Sequence, residues 1–598
     1  MLAAPAAFAQ SDAPTVTTTD SSSGAPSLQG PTGTLLPPLG TDPGNQTLRT
    51  SLLDAFGQTP PPPPGQAGAG PAWQFSPQLM VSEQFTTNPN VGAGIDNKPN
   101  NRGSDFITLI QPQLGVQENG DRLRVNVTYD PIGEIYAENS DYSQFRQQGS
   151  ADVLATALND LLYVDVRGNI FQQAVYGGLR PVNATALAPN QRETVSSIAA
   201  SPFVSRTFGG IGSLQAGVGY IYTATDAPSS LNQATPLSLG LPYNYGSSWL
   251  ATKRLFASFT SGEDYGRFQD SLSSDNNFYD GTGALANGQR LVLTDDLSYA
   301  VDRFASALGE IGYENLHYPN SGFSYVGGVW AAGARLTPNA DSSLTVEWRY
   351  IDGAGAPYIY GSYQATPHIR LYGGYSQGIT TFDQDQQNTL LSGQATASGA
   401  AASALVAAPL LNNAGYAGAN QSLNRTKRLD VNAAYIGERD TISANFDWQK
   451  SSIVGTPLGL PSSELEALGI NPIYLPYFIK YGVPSYFPPN LQAVLQQIIS
   501  FAKFTGQESN NITTGVTWHH DLRPNLASDL YLGYTRTLQS QTVTSETSAM
   551  QVTAGVSKTF TETLSGRVAY AGSYVVGGSQ TGYDLNDTTV TVSVTKKF

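Results

Sequence analysis

From Trp73 to the C-terminus the chain repeats one pattern, in which apolar and polar residues alternate with the period of a β-strand. Leu123, Val125, Val127 and Tyr129 alternate with Arg122, Arg124, Asn126, Thr128 and Asp130. Leu344, Val346, Trp348 and Tyr350 alternate with Thr345, Glu347 and Arg349, and Ile442, Ala444, Phe446 and Trp448 with Thr441, Ser443, Asn445, Asp447 and Gln449. A soluble sandwich alternates as well, so strand length and connection length have to separate the two. Many strands read as roughly 10 to 16 residues, against about five or six in soluble sheets, while a tilted membrane strand needs about 9 to 11. Short turns fall at Asn119-Gly120, Asn159-Asp160, Gly209-Gly210, Gly262-Glu263, Asp302-Arg303, Pro338-Asn339, Thr366-Pro367, Glu438-Arg439, Arg523-Pro524 and Lys558-Thr559. Between them lie variable connections, several of them long, which is the habit of bacterial outer-membrane barrels. Ten turns joining eleven hairpins predict one antiparallel transmembrane β-barrel of 22 strands, or as few as 18 if the faint strands at 142–157 and 266–275 fail.

Composition agrees. Of 598 residues only 13% are charged, and no run approaches the roughly 18 apolar residues of a helical span. The net charge of -15 argues against nucleic acid as a partner. The absence of cysteine excludes disulfides and thiolate metal sites. Tyr and Trp near strand ends (Trp73, Tyr220, Tyr222, Trp348, Tyr350, Trp448, Trp518) suit interfacial girdles.

The ends of the chain give an address. Ala7-Phe8-Ala9 reads as a signal-peptidase site, which makes 1–9 the residue of a signal peptide. Residues 10–71, rich in Ser, Thr, Pro and Gly and containing Pro60 to Pro64, are expected to form a disordered periplasmic arm. The barrel is expected over 72–598. At its end Val590, Val592, Val594 and Phe598 share one strand face, the signal by which barrels are inserted, with Lys596 a departure that can snorkel.

Two long outside loops, 382–424 and 453–507, are expected to carry helical insertions. One helix is expected at Ala400 to Ala408, stopped by Pro409. Another begins at Ser463-Glu464-Leu465-Glu466 and stops at Gly469. A third, capped by Asn490, places Leu491, Val494, Leu495, Ile498 and Ala502 on one face, as a lid in the barrel mouth or a cap on neighbouring loops.

Several stretches resemble a family of β-barrel porins linked to exopolysaccharide and exosortase (PEP-CTERM) gene clusters: Ser104-Asp105-Phe106-Ile107-Thr108, Asp165 to Gln172, Gly312 to Tyr318, Ser342 to Tyr350, and Tyr375-Ser376-Gln377-Gly378. The resemblance spans roughly 72–598, with the two insertions as departures. It implies an outer-membrane barrel serving polymer export or surface-glycan assembly, and carries over no site residues.

No catalytic constellation accompanies the strands. The histidines are His317, His368, His519 and His520; the last two adjoin a short turn and lack further metal ligands. Asp383-Gln384-Asp385-Gln386 reads as an ordinary solvated loop, or a weak calcium ligand set. No enzyme activity, cofactor or metal is expected. The polar faces supply the candidate lumen lining: Arg122, Arg124, Asp130, Asp165, Arg167, Glu347, Arg349, Arg370, Arg428, Asp430, Asp447 and Asp529, with Tyr163, Tyr372 and Tyr531. These groups either form a sugar path or satisfy one another. The reading is passage of a hydrophilic solute, foremost exopolysaccharide export with a periplasmic export complex. The alternatives are a structural barrel anchoring surface polysaccharide and a general-diffusion porin. A TonB-dependent receptor is set aside because the arm before Trp73 is too short and proline-rich for a folded plug. Other expected partners are outer-membrane lipid, lipopolysaccharide and the barrel-assembly machinery.

Overall fold

In hydrocarbon no water satisfies the N–H and C=O groups of a strand edge, so a sheet there must meet itself. The computed structural model describes residues 73–598 except 88–103, 121, 160, 175–191, 227–247, 263–265, 282–284, 286, 320, 340–341, 392–422, 539–546, 577–586 and most of 455–508. In it the sheet does close. The first strand, Gln74–Thr86, pairs antiparallel with Asp105–Asn119 on one side and with the last strand, Asp587–Lys597, on the other, placing Val81 opposite Val594. Each remaining strand pairs antiparallel with its sequence neighbours around a single sheet of 24 segments.

Two staves of this wall are interrupted. Leu123–Tyr129 and Ile132–Tyr136 both pair with Asp105–Asn119, and on their other side meet Gly149–Leu158 and Gln144–Arg146. Pro131, which cannot donate to a ladder, lies at the break. Counted as staves the barrel therefore has 22, the upper end of the expected range. The faint strand at 266–275 is a full one, Phe268–Gly281, and that at 142–157 is the interrupted stave. Two turns are misplaced by the sequence: Phe323–Asn339 runs through Pro338-Asn339, and Thr547–Thr561 runs through Lys558-Thr559.

Residues opposite one another in register share a face, so the alternation travels around the wall. Ile110, Leu255, Ile311, Trp330 and Trp348 point outward, while Gln84, Thr86, Ser201, Thr223 and Thr294 are buried inward. Asp270 and Asp295 break the rule: register puts them opposite Leu297 and Leu272, on the outward face. The girdle tryptophans find acceptors, Trp518 Nε1 at Asp440 Oδ1 and Trp448 Nε1 at Asn510 Oδ1, each at 2.9 Å. Lys596 bends to the boundary, where its Nζ donates to Thr563 Oγ1 at 2.7 Å. The protein is thus an outer-membrane β-barrel whose first strand begins, and whose last strand ends, on the periplasmic side.

The helices expected at Ala400–Ala408 and Ser463–Gly469 lie outside the described residues, as do Leu491, Val494, Ile498 and Ala502. Gln492 and Leu495 are helical, and Leu495 is fully buried. A helix that was not expected, α1 (Phe382–Leu391), occupies the Asp383-Gln384-Asp385-Gln386 stretch.

Candidate functional site: the obstructed lumen

α1 begins where Ile369–Thr380 ends. Thr381 Oγ1 accepts the backbone N–H of Gln384 at 3.3 Å, and Asp383 stands in the first turn, where a carboxylate suits the helix dipole. The helix turns into the bore. It packs on the inner faces of Leu162–Ala174, Arg192–Thr207, Ser213–Asp226 and Ser248–Ser261, on the other side of the barrel from its own strand. Thr225 Oγ1 donates to Asp383 Oδ1 at 2.9 Å, Thr252 Oγ1 to Gln387 Oε1 at 2.6 Å, and Gln387 Nε2 to the Leu250 carbonyl at 3.0 Å. Leu390 is fully buried among Tyr163, Ala199, Phe203, Ile221 and Phe256. Gly217 makes room for this seat, because a Cβ there would come within 2.6 Å of Phe203 Cβ and 2.7 Å of Phe256 Cζ. The solvated or calcium-binding loop is therefore corrected: Asp383, Gln384, Gln386 and Gln387 are buried in the lumen.

A second obstruction sits at the outer rim. Between Ser342–Ile351 and Ala354–Thr366 the chain reverses at Asp352-Gly353, both with positive φ (56° and 70°), the backbone of a type I′ hairpin. This hairpin is short. Phe323–Asn339 runs past it from Trp330 outward without a partner on that side, and the ladder between Ala354–Thr366 and Ile369–Thr380 stops at Ile359 and Tyr375. The unpaired edge is satisfied by side chains instead. Ile379 N–H donates to Asp352 Oδ2 at 2.6 Å, and the Ile379 carbonyl accepts from Arg290 Nη1 at 2.7 Å. Arg290 Nη2 pairs with Asp352 Oδ1 at 2.7 Å, Glu314 accepts the Asp352 N–H, and Arg425 donates to the Asp352 carbonyl. Both Arg290 and Asp352 are buried. Around them Leu250, Tyr279, Leu285, Leu316, Tyr318, Ile379 and Leu423 form one apolar cluster at the outer ends of strands drawn from nearly half the circumference.

The candidate lumen residues face inward, but most are engaged by the wall itself. Asp165 and Arg167 pair at 3.1 Å, Glu347 and Arg349 at 2.6 Å, and Arg428 and Asp447 at 2.7 Å. Arg349 also lies 3.4 Å over the Tyr358 ring. Asp130 accepts from Gln111 and Gln148, Asp430 from Asn432, and Asp529 from His519 at 2.7 Å, with Arg567 at 3.6 Å. Arg124 and Arg370 face the lumen beside Leu154 and Gln364, whereas Arg122 sits exposed at the periplasmic turn. Of the two readings, mutual satisfaction describes the ion pairs. His519, beside its short turn, is largely buried against Asp529. Of the residues that shape the obstruction, Arg290, Asp352 and Ile379 are not singled out by the sequence, and the stretch that forms α1 reads there as a loop; the local signal for the rim is Asp352-Gly353, a type I′ turn dipeptide.

No family model matches the chain, and no curated protein does. Among solved structures it is similar to the FrpB iron transporter of Neisseria meningitidis (F5-1 variant), at 10% identity and a TM-score of 0.47 over 92% of this chain and 84% of that one. It is also similar to the siderophore receptors PirA of Acinetobacter baumannii (8%, 0.44, over 87% and 80%) and PirA of Pseudomonas aeruginosa (9%, 0.42, over 88% and 80%). The expectation of exopolysaccharide export, and of an export complex as partner, is corrected: a polymer in transit needs a continuous wet path, and this lumen is crossed by α1 and knotted with apolar side chains. A general-diffusion porin needs the same open bore.

Proposed function

We propose that the barrel is a gated uptake channel through which a small polar ligand enters the periplasm once the inturned segment is displaced. The observation that carries this reading is the seat of α1, whose Asp383 and Gln387 are held to the far wall by hydrogen bonds from Thr225 and Thr252. Such a bond contributes about 0.5–1.5 kcal/mol between neutral groups and about 1.5–3 kcal/mol to a carboxylate such as Asp383, so a ligand competing for them can release the helix. Kinship with the porin family that the strands resemble enters as a likeness of barrels and not of cargo.

Planar-bilayer conductance tests the reading. The intact protein is expected to show low, intermittent current, and replacement of residues 382–421 by a short Gly/Ser link to give a steady and larger conductance. Equal currents from the two would refute it.

A further inference from the structure

The outer surface of the wall carries a concavity that transport does not use. On the outward face Gly361 stands opposite Leu344 on one side and Gly373 on the other, and Gly373 in turn stands opposite Val431. Two adjoining positions without side chains leave a trough of about 820 Å³, bordered by Leu344, Ile359, Leu371 and Val431 and ending at Phe304. That volume falls within the roughly 300–1,000 Å³ of pockets that take a drug-sized ligand. The trough lies in the periplasmic half of the membrane, because Phe304 belongs to the turn after Gln289–Asp302 and Leu344 to the start of Ser342–Ile351. Its end is marked by a cation: the Arg303 guanidinium lies 4.4 Å over the Phe304 ring, at the depth of lipid headgroups. The neighbouring Asp302 carboxylate accepts the Arg303 backbone N–H and leaves the guanidinium outward.

We propose that this trough holds an acyl chain of one glycerophospholipid of the periplasmic leaflet, with Arg303 at its phosphate. Both parts of the site match that molecule: an apolar slot one chain wide, and a single positive charge where the slot meets water. Lipopolysaccharide occupies the opposite leaflet and cannot reach it.

Native mass spectrometry of the full chain, purified in mild detergent and supplied with phosphatidylglycerol or phosphatidylethanolamine, reads the outcome. The unaltered protein is expected to retain one phospholipid per chain. Gly361→Leu fills the floor, where the added Cβ meets the flexible Leu344 Cδ1 at 3.2 Å, and should lose that lipid. Arg303→Gln, in an exposed turn, should retain several-fold less phosphatidylglycerol, and keeps the test readable if the glycine variant fails to fold. Gly309→Leu, elsewhere on the outward face where a Cβ meets nothing within 4 Å, should retain lipid as before. Migration of the unheated protein in a detergent gel reports folding. Equal retention by all four proteins overturns the proposal, and so does a two-chain mass abolished by Gly361→Leu, which would assign the trough to a second copy.

Discussion

Asp352 ties together much of the described outer rim. Its carboxylate receives the Arg290 guanidinium and the Ile379 N–H, its own N–H goes to Glu314, and its positive φ makes the turn. Asp352→Ala strands a buried arginine and an unpaired strand edge, so a loss of about 3–5 kcal/mol in unfolding free energy is expected, read by denaturant titration in micelles. Asp352→Asn, which tolerates the left-handed turn and keeps one acceptor, should lose less and still leak small solutes in liposome swelling. Little of this was legible beforehand. Arg290 has the inward parity of any lumen residue, and its partner lies 62 positions away with no local pattern linking them. Asp165 and Arg167 were legible as inward-facing because a period of two fixes a face, but a period of two does not say which inward charges meet.

At the scale of elements, α1 went unread because Asp383-Gln384-Asp385-Gln386-Gln387 presents no apolar stripe from which a helix could be inferred. Its setting supplies what the pattern lacks: a capping threonine on one side and a polar wall on the other. Asp383→Ala combined with Gln387→Ala removes both side-chain moorings while Leu390 stays in place. Single-channel records should then show longer openings at unchanged unit conductance, whereas unchanged open times would mean that Leu390 alone retains the helix. Strand Gln289–Asp302 makes a different statement. Asp295 is outward in a band where a carboxylate is poorly solvated. Asp295→Leu is expected to raise stability in lipid vesicles, measured by urea unfolding, with no change in conductance.

At the scale of the molecule, closure was the most legible property, since strand length, turn spacing and the final Val590-x-Val592-x-Val594 face all require a wall without edges. What the sequence left open was how the bore is filled, because that depends on where a loop goes after it leaves its strand. The two faces predict opposite responses to one substitution. Leu532→Arg, outward at the middle of Leu526–Thr537, should cost about 2–4 kcal/mol of folding free energy, while an arginine at inward Thr535 should cost far less. Folding into vesicles followed by tryptophan fluorescence separates them. A wide hollow cylinder is weakest against ovalisation, since squeezing one diameter only lengthens the other. With one end continuous with Thr380 and the other lodged against Phe203 and Phe256, α1 works as a tie beam across that diameter. Lateral pressure from the surrounding lipid then bears on the beam, and any cargo that unseats it also softens the tube.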